Sequence, residues 1–191
     1  MDACLTRPRQ KELLRLARQT IANGCSEGLP PDISPSDYPE DFRQPLACFV
    51  TLQKQGQLRG CIGSLQVRRT LVEDVVHNAF ASAFRDFRFF PVTENELSEI
   101  SVEISILTPM TPIEVSSEEE LLRELEPGVD GLVIENEQHS ATFLPQVWEQ
   151  LTEPRQFLQH LKRKAGLQDN LWPEDMRCFR YHCEKFKEQK E

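Results

Sequence analysis

The feature that most restricts the fold is a change of hydrophobic period between residues 47 and 84. Residues 47–52 are apolar and of strand length, Gln55-Gly56 is a turn signal, and the chain returns from Leu58 as a second strand, so this segment predicts a hairpin. From Thr70, a suitable N-cap, Leu71, Val75, Val76, Ala79, Phe80, Ala83 and Phe84 recur at i, i+4, i+5 and i+8. That stripe belongs to a helix buried along most of one side. A period of two giving way to one of 3.6 points to an α+β fold.

The flanking sequence is consistent with that class. Thr6 and Pro8 can start a helix that carries Leu13, Leu14, Ala17 and Ile21 and stops at Asn23-Gly24. Residues 28–45 contain Pro30, Pro31, Pro35, Pro39 and Pro45 and read as an arm, either packed on the surface or flexible. Thr93 and Glu96 suggest a capped helical turn. Residues 100–107 alternate as a strand with Val102, Ile104 and Ile106 inward, leaving Glu103 and Ser105 on the other face. Ser117 and Glu120 cap a short helix; residues 132–134 and 142–144 make a second hairpin; Pro154 opens a helix that Gly166 closes. Phe179, Tyr181 and Cys183 alternate with Cys178, Arg180 and His182, which predicts one final strand. A length of 191 residues suits one domain over 1–191, or two closely packed lobes.

Charge and composition narrow the function. With 22 basic against 31 acidic residues the net charge is −9, which repels polyanions and disfavours nucleic acid. A basic groove from Arg85, Arg88 and Lys162-Arg163-Lys164 stays open, although that run reads more simply as a cationic last turn complementing a helix dipole. No window is apolar enough to cross a membrane, and residues 1–10 lack the apolar core of a signal peptide, so a cytoplasmic protein is expected. Six cysteines without a Cys-x-x-Cys pair then read as reduced thiols.

Arg59-Gly60-Cys61-Ile62-Gly63 is the segment suited to chemistry, placing a thiol between two glycines where strand passes into helix. Glycine lets a ligand approach the backbone closely. Free amides there would form an anion-binding nest, and with Arg59 they would favour a reactive thiolate. The competing reading is a buried packing cysteine with glycines that serve a tight turn. None of His77, His139, His160 and His182 is tied to Cys61 by spacing as a general base. Cys178 and His182 share a face, but two ligands fall short of structural zinc, so no metal is expected. Arg85-Asp86-Phe87-Arg88-Phe89 sets charges beside aromatics, an arrangement able to hold an anionic or planar ligand or to lock a chain reversal by an Asp86–Arg pair. Glu103 and Asp130 offer carboxylates, with no spacing that makes them an acid–base couple.

These segments resemble the AMMECR domain family along nearly the whole chain. The resemblance rests on Leu58-Arg59-Gly60-Cys61-Ile62-Gly63, on Asp86 with Arg88-Phe89 and Pro91-Val92, and on residues 102–107. It continues through Gly128 with Asp130-Gly131-Leu132-Val133-Ile134, then residues 143–147, Lys164-Ala165-Gly166-Leu167 and Trp172. Ser140-Ala141-Thr142 departs from it where a glycine is expected. The family resemblance implies an α+β fold with a mixed, largely antiparallel sheet, flanking helices, and a larger and a smaller lobe. The short length resembles the microbial form, AmmeMemoRadiSam system protein A, which implies a Memo-like protein and a radical S-adenosylmethionine protein as pathway partners, and no particular cofactor. The expected function is thus a component that binds a small ligand or a partner through a cleft edged by Arg59, Gly60, Cys61, Ile62 and Gly63, with Arg85, Asp86 and Arg88. The alternatives are a thiol enzyme with Cys61 as nucleophile and a nucleic-acid-associated factor.

Overall fold

The computed structural model describes residues 5–189, which form two compact units. The first runs to Thr108 and resumes at Glu184; the second is Pro109–Cys183. Each has its own four-stranded antiparallel sheet, where the sequence suggested one sheet.

In the first unit, helix α1 (Arg7–Glu27) passes through Asn23-Gly24 and ends at Gly28, whose φ of 75° makes the left-handed cap. Gly24 is not a stop. A Cβ there would lie 2.2 Å from the Phe84 ring, so the glycine permits α1 to meet helix α2 (Leu71–Phe84) closely. The 28–45 arm is ordered, with short 3-10 turns at Pro35–Asp37 and Glu40–Arg43, and it is pinned by the fully buried Phe42. Strands β1 (Cys48–Lys54) and β2 (Gln57–Gly63) form the expected hairpin across Gln55-Gly56, at φ 53° and 78°. Positive φ at both turn residues marks the hairpin turn whose twist matches its strands. Helix α2 starts as expected: the Glu73 carboxylate accepts the Thr70 amide at 3.0 Å.

Strand β3 (Ile100–Leu107) pairs with β1, and Ile100, Val102, Ile104 and Ile106 join the core beneath α1 and α2. The one strand expected at the C-terminus is two. Strand β7 (Arg177–Tyr181) belongs to the second sheet, whereas β8 (Cys183–Lys187) completes the first in the order β2-β1-β3-β8. His182 is the joint between them, and the alternation runs through it without a turn signal.

The second unit contains β4 (Thr111–Ile113), α3 (Glu118–Glu124), β5 (Gly131–Glu135), β6 (Ser140–Phe143) and α4 (Pro154–Lys164), its sheet ordered β4-β7-β5-β6. Strand β4 is too short to show a period in the sequence. Ser140-Ala141-Thr142 lies inside β6, and the reversal before it is closed by Asn136 N–H donating to the His139 carbonyl at 2.8 Å. Trp148 stacks on Phe157 at 3.8 Å in the core. The Lys162-Arg163-Lys164 run makes no basic groove. Lys162 is fully buried and donates to Glu118 and to the Asp169 carbonyl, both at 2.6 Å, while Arg163 pairs with Asp169. Gly131 lies beneath the Tyr181 ring, where a Cβ would approach to 2.5 Å.

The closest packing constraint is at Gly60. A Cβ there would lie 2.1 Å from the Ser82 carbonyl oxygen, so β2 rests directly on the α2 backbone. Gly60→Ala is therefore expected to destabilise the protein by about 1–3 kcal/mol, the range of core overpacking, in urea denaturation. A loss below about 0.5 kcal/mol would contradict this contact.

Candidate functional site

Cys61 lies within β2, two residues before its end, rather than at the strand-to-helix crossing. Its placement depends on a one-residue irregularity. Leu58 opposes Gln53 and Gly60 opposes Leu52, so Arg59 is an extra residue, a bulge without a partner on β1. An uninterrupted register from the two-residue turn would set Thr51 against Gly60. The bulge sets it against Cys61 instead. Since Gly60 faces α2, alternation directs the Cys61 side chain to the opposite face of the sheet. There the Thr51 hydroxyl donates to Cys61 Sγ at 3.2 Å. Thr51 in turn opposes Glu103 on β3, whose carboxylate meets Lys185 Nζ of β8 at 3.2 Å. A thiol, a hydroxyl, a carboxylate and an ammonium thus form a polar row across the four strands.

The Cys61 backbone is gripped from the loop that follows α2. Its N–H donates to Asp86 Oδ2 at 2.9 Å, and its carbonyl accepts from Arg88 Nη2 at 3.3 Å. Arg88 also donates to Asp86 from Nε at 2.9 Å and from Nη2 at 2.6 Å. Asp86 is buried, yet these donors, the Arg88 guanidinium foremost, hold its carboxyl well below the usual carboxylate range against the opposing effect of burial.

The bulge also re-aims Arg59. Its Nε and Nη2 each donate to Glu96 at 3.0 Å, and Glu96 accepts the Thr93 amide at 3.1 Å as the capping pattern predicts. The Arg59 hydrogen bonds, with those from Thr93 and Lys54, bring the Glu96 carboxyl down to about 2. Arg59 Nη1 is buried with no hydrogen-bond partner among the described residues. The Phe89 ring lies near both guanidinium groups, 5.9 Å from Arg59 Cζ and 5.5 Å from Arg88 Cζ. Phe87 and Phe90, on the same loop, are 96% and 89% exposed.

Of the residues singled out in the sequence, Cys61, Asp86 and Arg88 touch, and Arg59 joins them through Phe89. Arg85 does not; it lies over the Phe80 ring at 5.2 Å. Gly60 and Ile62 face the α2 side of the sheet, and Gly63 lies under Phe49, where a Cβ would come within 2.3 Å. Neither Gly60 nor Gly63 has positive φ, and the Cys61 amide is already engaged, so no open amide nest forms at the sulfur. His77 sits on α2, across the sheet from the sulfur, and the other three histidines belong to the second unit. The Cys178–His182 pairing is not made. Cys178 is buried in the second core, and His182 Nε2 meets Asp130 Oδ1 at 3.1 Å. Among the described residues, no group of three or more His, Cys, Asp or Glu is placed to hold a metal. Phe89 was singled out with Arg88 as an aromatic beside charges, and it is one; Thr51 is the contact that sequence reasoning missed, and Glu96 was noted only as the capping partner of Thr93.

Acid titration tests the ion pairs. Because the Asp86 and Glu96 carboxyls are depressed in the folded state, the unfolded chain takes up protons first as pH falls. The stabilisation is complete above the ordinary glutamate value and is lost as pH falls from 4.5 toward about 2. Glu96→Gln is expected to lower stability by about 2 kcal/mol near neutrality and to flatten this acid limb; identical urea-unfolding profiles for the two proteins at about pH 3 and about pH 6 would contradict the assignment. Alkylation tests the sulfurs. Burial raises the Cys48 thiol well above its ordinary value and pushes Cys178 up to about 12, so both should resist iodoacetamide until unfolding. Cys61 is half-buried and should label in the folded protein, as read by peptide mass; labelling of Cys48 before Cys61 would contradict this placement.

Three comparisons agree. The family profile described as AMMECR1 matches residues 14–186. A protein of Methanothermobacter thermautotrophicus is 37% identical over 188 residues, covering 97% of each chain, and one of Methanocaldococcus jannaschii is 39% identical over 155 residues, covering 79% of this chain and 77% of its own. The crystal structure of an uncharacterised Pyrococcus horikoshii protein superimposes with a TM-score of 0.84 at 34% identity, covering 97% of this chain and 94% of that one. With its two antiparallel sheets and the Cys61 segment in place, this chain belongs to the AMMECR1 family.

Proposed function

We propose that the chain is a binding component of a cytoplasmic pathway shared with a Memo-like protein and a radical S-adenosylmethionine protein, and that it docks a partner or ligand at the loop gripping Cys61. The observation that carries this reading is the exposure of Phe87 and Phe90 on either side of Arg88. Two phenyl rings left in water are costly, and aromatic side chains around an arginine form the composition of interface hot spots. The loop beneath them is rigid, because Asp86, Arg88 and Phe89 are all committed to β2 or Arg59. Rigidity lowers the ordering cost of association. Among the described residues, no helix is long and apolar enough to cross a membrane.

Biolayer interferometry against a purified Memo-like protein tests this. Phe87→Ala/Phe90→Ala is expected to weaken binding by at least about tenfold, as for loss of a hot spot, with unfolding unchanged. No binding by the wild type, or equal binding by the variant, rejects the reading.

One contact favours a second reading, a thiol nucleophile: the Thr51 hydroxyl fixes Cys61 Sγ in one orientation. Acylation by p-nitrophenyl acetate separates the two. A nucleophile gives an acetyl adduct on Cys61 and turnover that both Cys61→Ser and Cys61→Ala abolish, whereas a docking surface binds its partner with either residue in place.

A further inference from the structure

A second surface of the first unit remains outside that site. Between α1, the turn at residues 97–101 and the C-terminal strand lies an open cleft of about 1210 Å³. It is larger than the roughly 300–1,000 Å³ of small-molecule pockets. Six cationic side chains and one acidic one line it, in a chain whose net charge is −9. The bland reading is a set of solvated cations, with lysines guarding an edge strand. That reading accounts for Lys185 and Lys187 on β8. It does not explain the stripe Arg7, Lys11 and Arg15, which recurs every four residues along α1 at about 6 Å per step.

The cleft already shows what it accepts. At one end Arg18 donates to both carboxylate oxygens of Glu188 and to the carbonyls of Leu97 and Ile100, at 2.7 and 2.9 Å. Lys185 is taken by Glu103. The chain's own carboxylates satisfy these two cations. Arg7, Lys11, Arg15 and Lys187 have no ion-pair partner among the described residues. Leu14, Ile100 and Phe186 form an apolar floor beneath them.

We infer that this cleft docks an acidic amphipathic helix of a partner protein. Such a helix presents carboxylates every fourth residue at the same rise of about 6 Å, so it meets the α1 cations along their length while its leucines face the floor. Charge complementarity would steer the encounter against the repulsion of an otherwise acidic molecule. A nucleic acid is the weaker fit, because its phosphates face long-range repulsion from the net charge and its sugars gain nothing from an apolar floor.

The test is fluorescence anisotropy with a labelled 18-residue helical probe, glutamate at every fourth position and leucine on the adjoining stripe. Its control is a peptide of identical composition shuffled to break the stripes. The wild-type chain is expected to bind the patterned probe at least tenfold more tightly than the shuffled one, less tightly as salt rises. The double variant Lys11→Glu/Arg15→Glu changes two exposed side chains, should unfold like the wild type, and is expected to lose at least tenfold. Retained affinity in that variant, or equal affinity for the shuffled peptide, overturns the proposal. Tighter binding of an oligonucleotide of equal charge assigns the cleft to nucleic acid instead. A concentration-dependent dimer that the double variant dissolves assigns it to a second copy; either result overturns the partner-helix reading.

Discussion

The first unit depends on one buried carboxylate. Removing an anion such as Asp86 from water costs several kcal/mol unless donors replace its hydration. Here the Arg88 guanidinium, the Arg88 amide and the Cys61 amide replace it. This arrangement fixes the course of the chain after α2 and brings Phe89 near two guanidinium groups. It also sets the direction in which residues 92–96 leave, with the Val92 amide bonded to the Ala83 carbonyl. Glu96 then closes on Arg59, so the edge strand is held at Cys61 by one anion and at Arg59 by another.

Much of the fold was legible because local signals and burial agree. Gln55-Gly56, the stripe from Leu71 to Phe84, the alternation through Val102, Ile104 and Ile106, and Gly166 after α4 each combine a period with a terminator. The misreadings have a common physical origin in tertiary contact. Gly24 resembles a helix stop, but its missing Cβ accommodates Phe84 from another helix. Lys162 stands in the cationic last turn of α4 as expected, but the basic groove left open there is not made, because its side chain is buried against Glu118, a residue 44 positions away. The continuous alternation near the C-terminus hides the division at His182, because strands of two different sheets keep the same period.

The candidate site divides in the same way. Cys61, Asp86 and Arg88 attracted notice by residue type, and they meet. The glycines were read as openings in the backbone, yet both make room for neighbours, Gly60 for an α2 carbonyl and Gly63 for a phenyl ring. Thr51 escaped notice because pairing follows register, and a bulge that no residue type announces shifts register by one. Since side chains alternate with a period of two, that single residue reverses the face onto which every later side chain of β2 projects. The polar row through Thr51, Glu103 and Lys185 therefore depends on a backbone irregularity at Arg59.

The grip on Cys61 has a consequence for how the protein behaves among its own copies. β2 is the outer strand of its sheet, and on the side turned away from β1 the loop supplies an acceptor to the Cys61 amide and a donor to its carbonyl, the two functions a neighbouring strand would perform. A foreign β-segment approaching that border finds its central hydrogen-bonding position taken by ionised groups. The same residues that orient the thiol thus act as a terminator of sheet growth, guarding the folded chain against edge-to-edge aggregation.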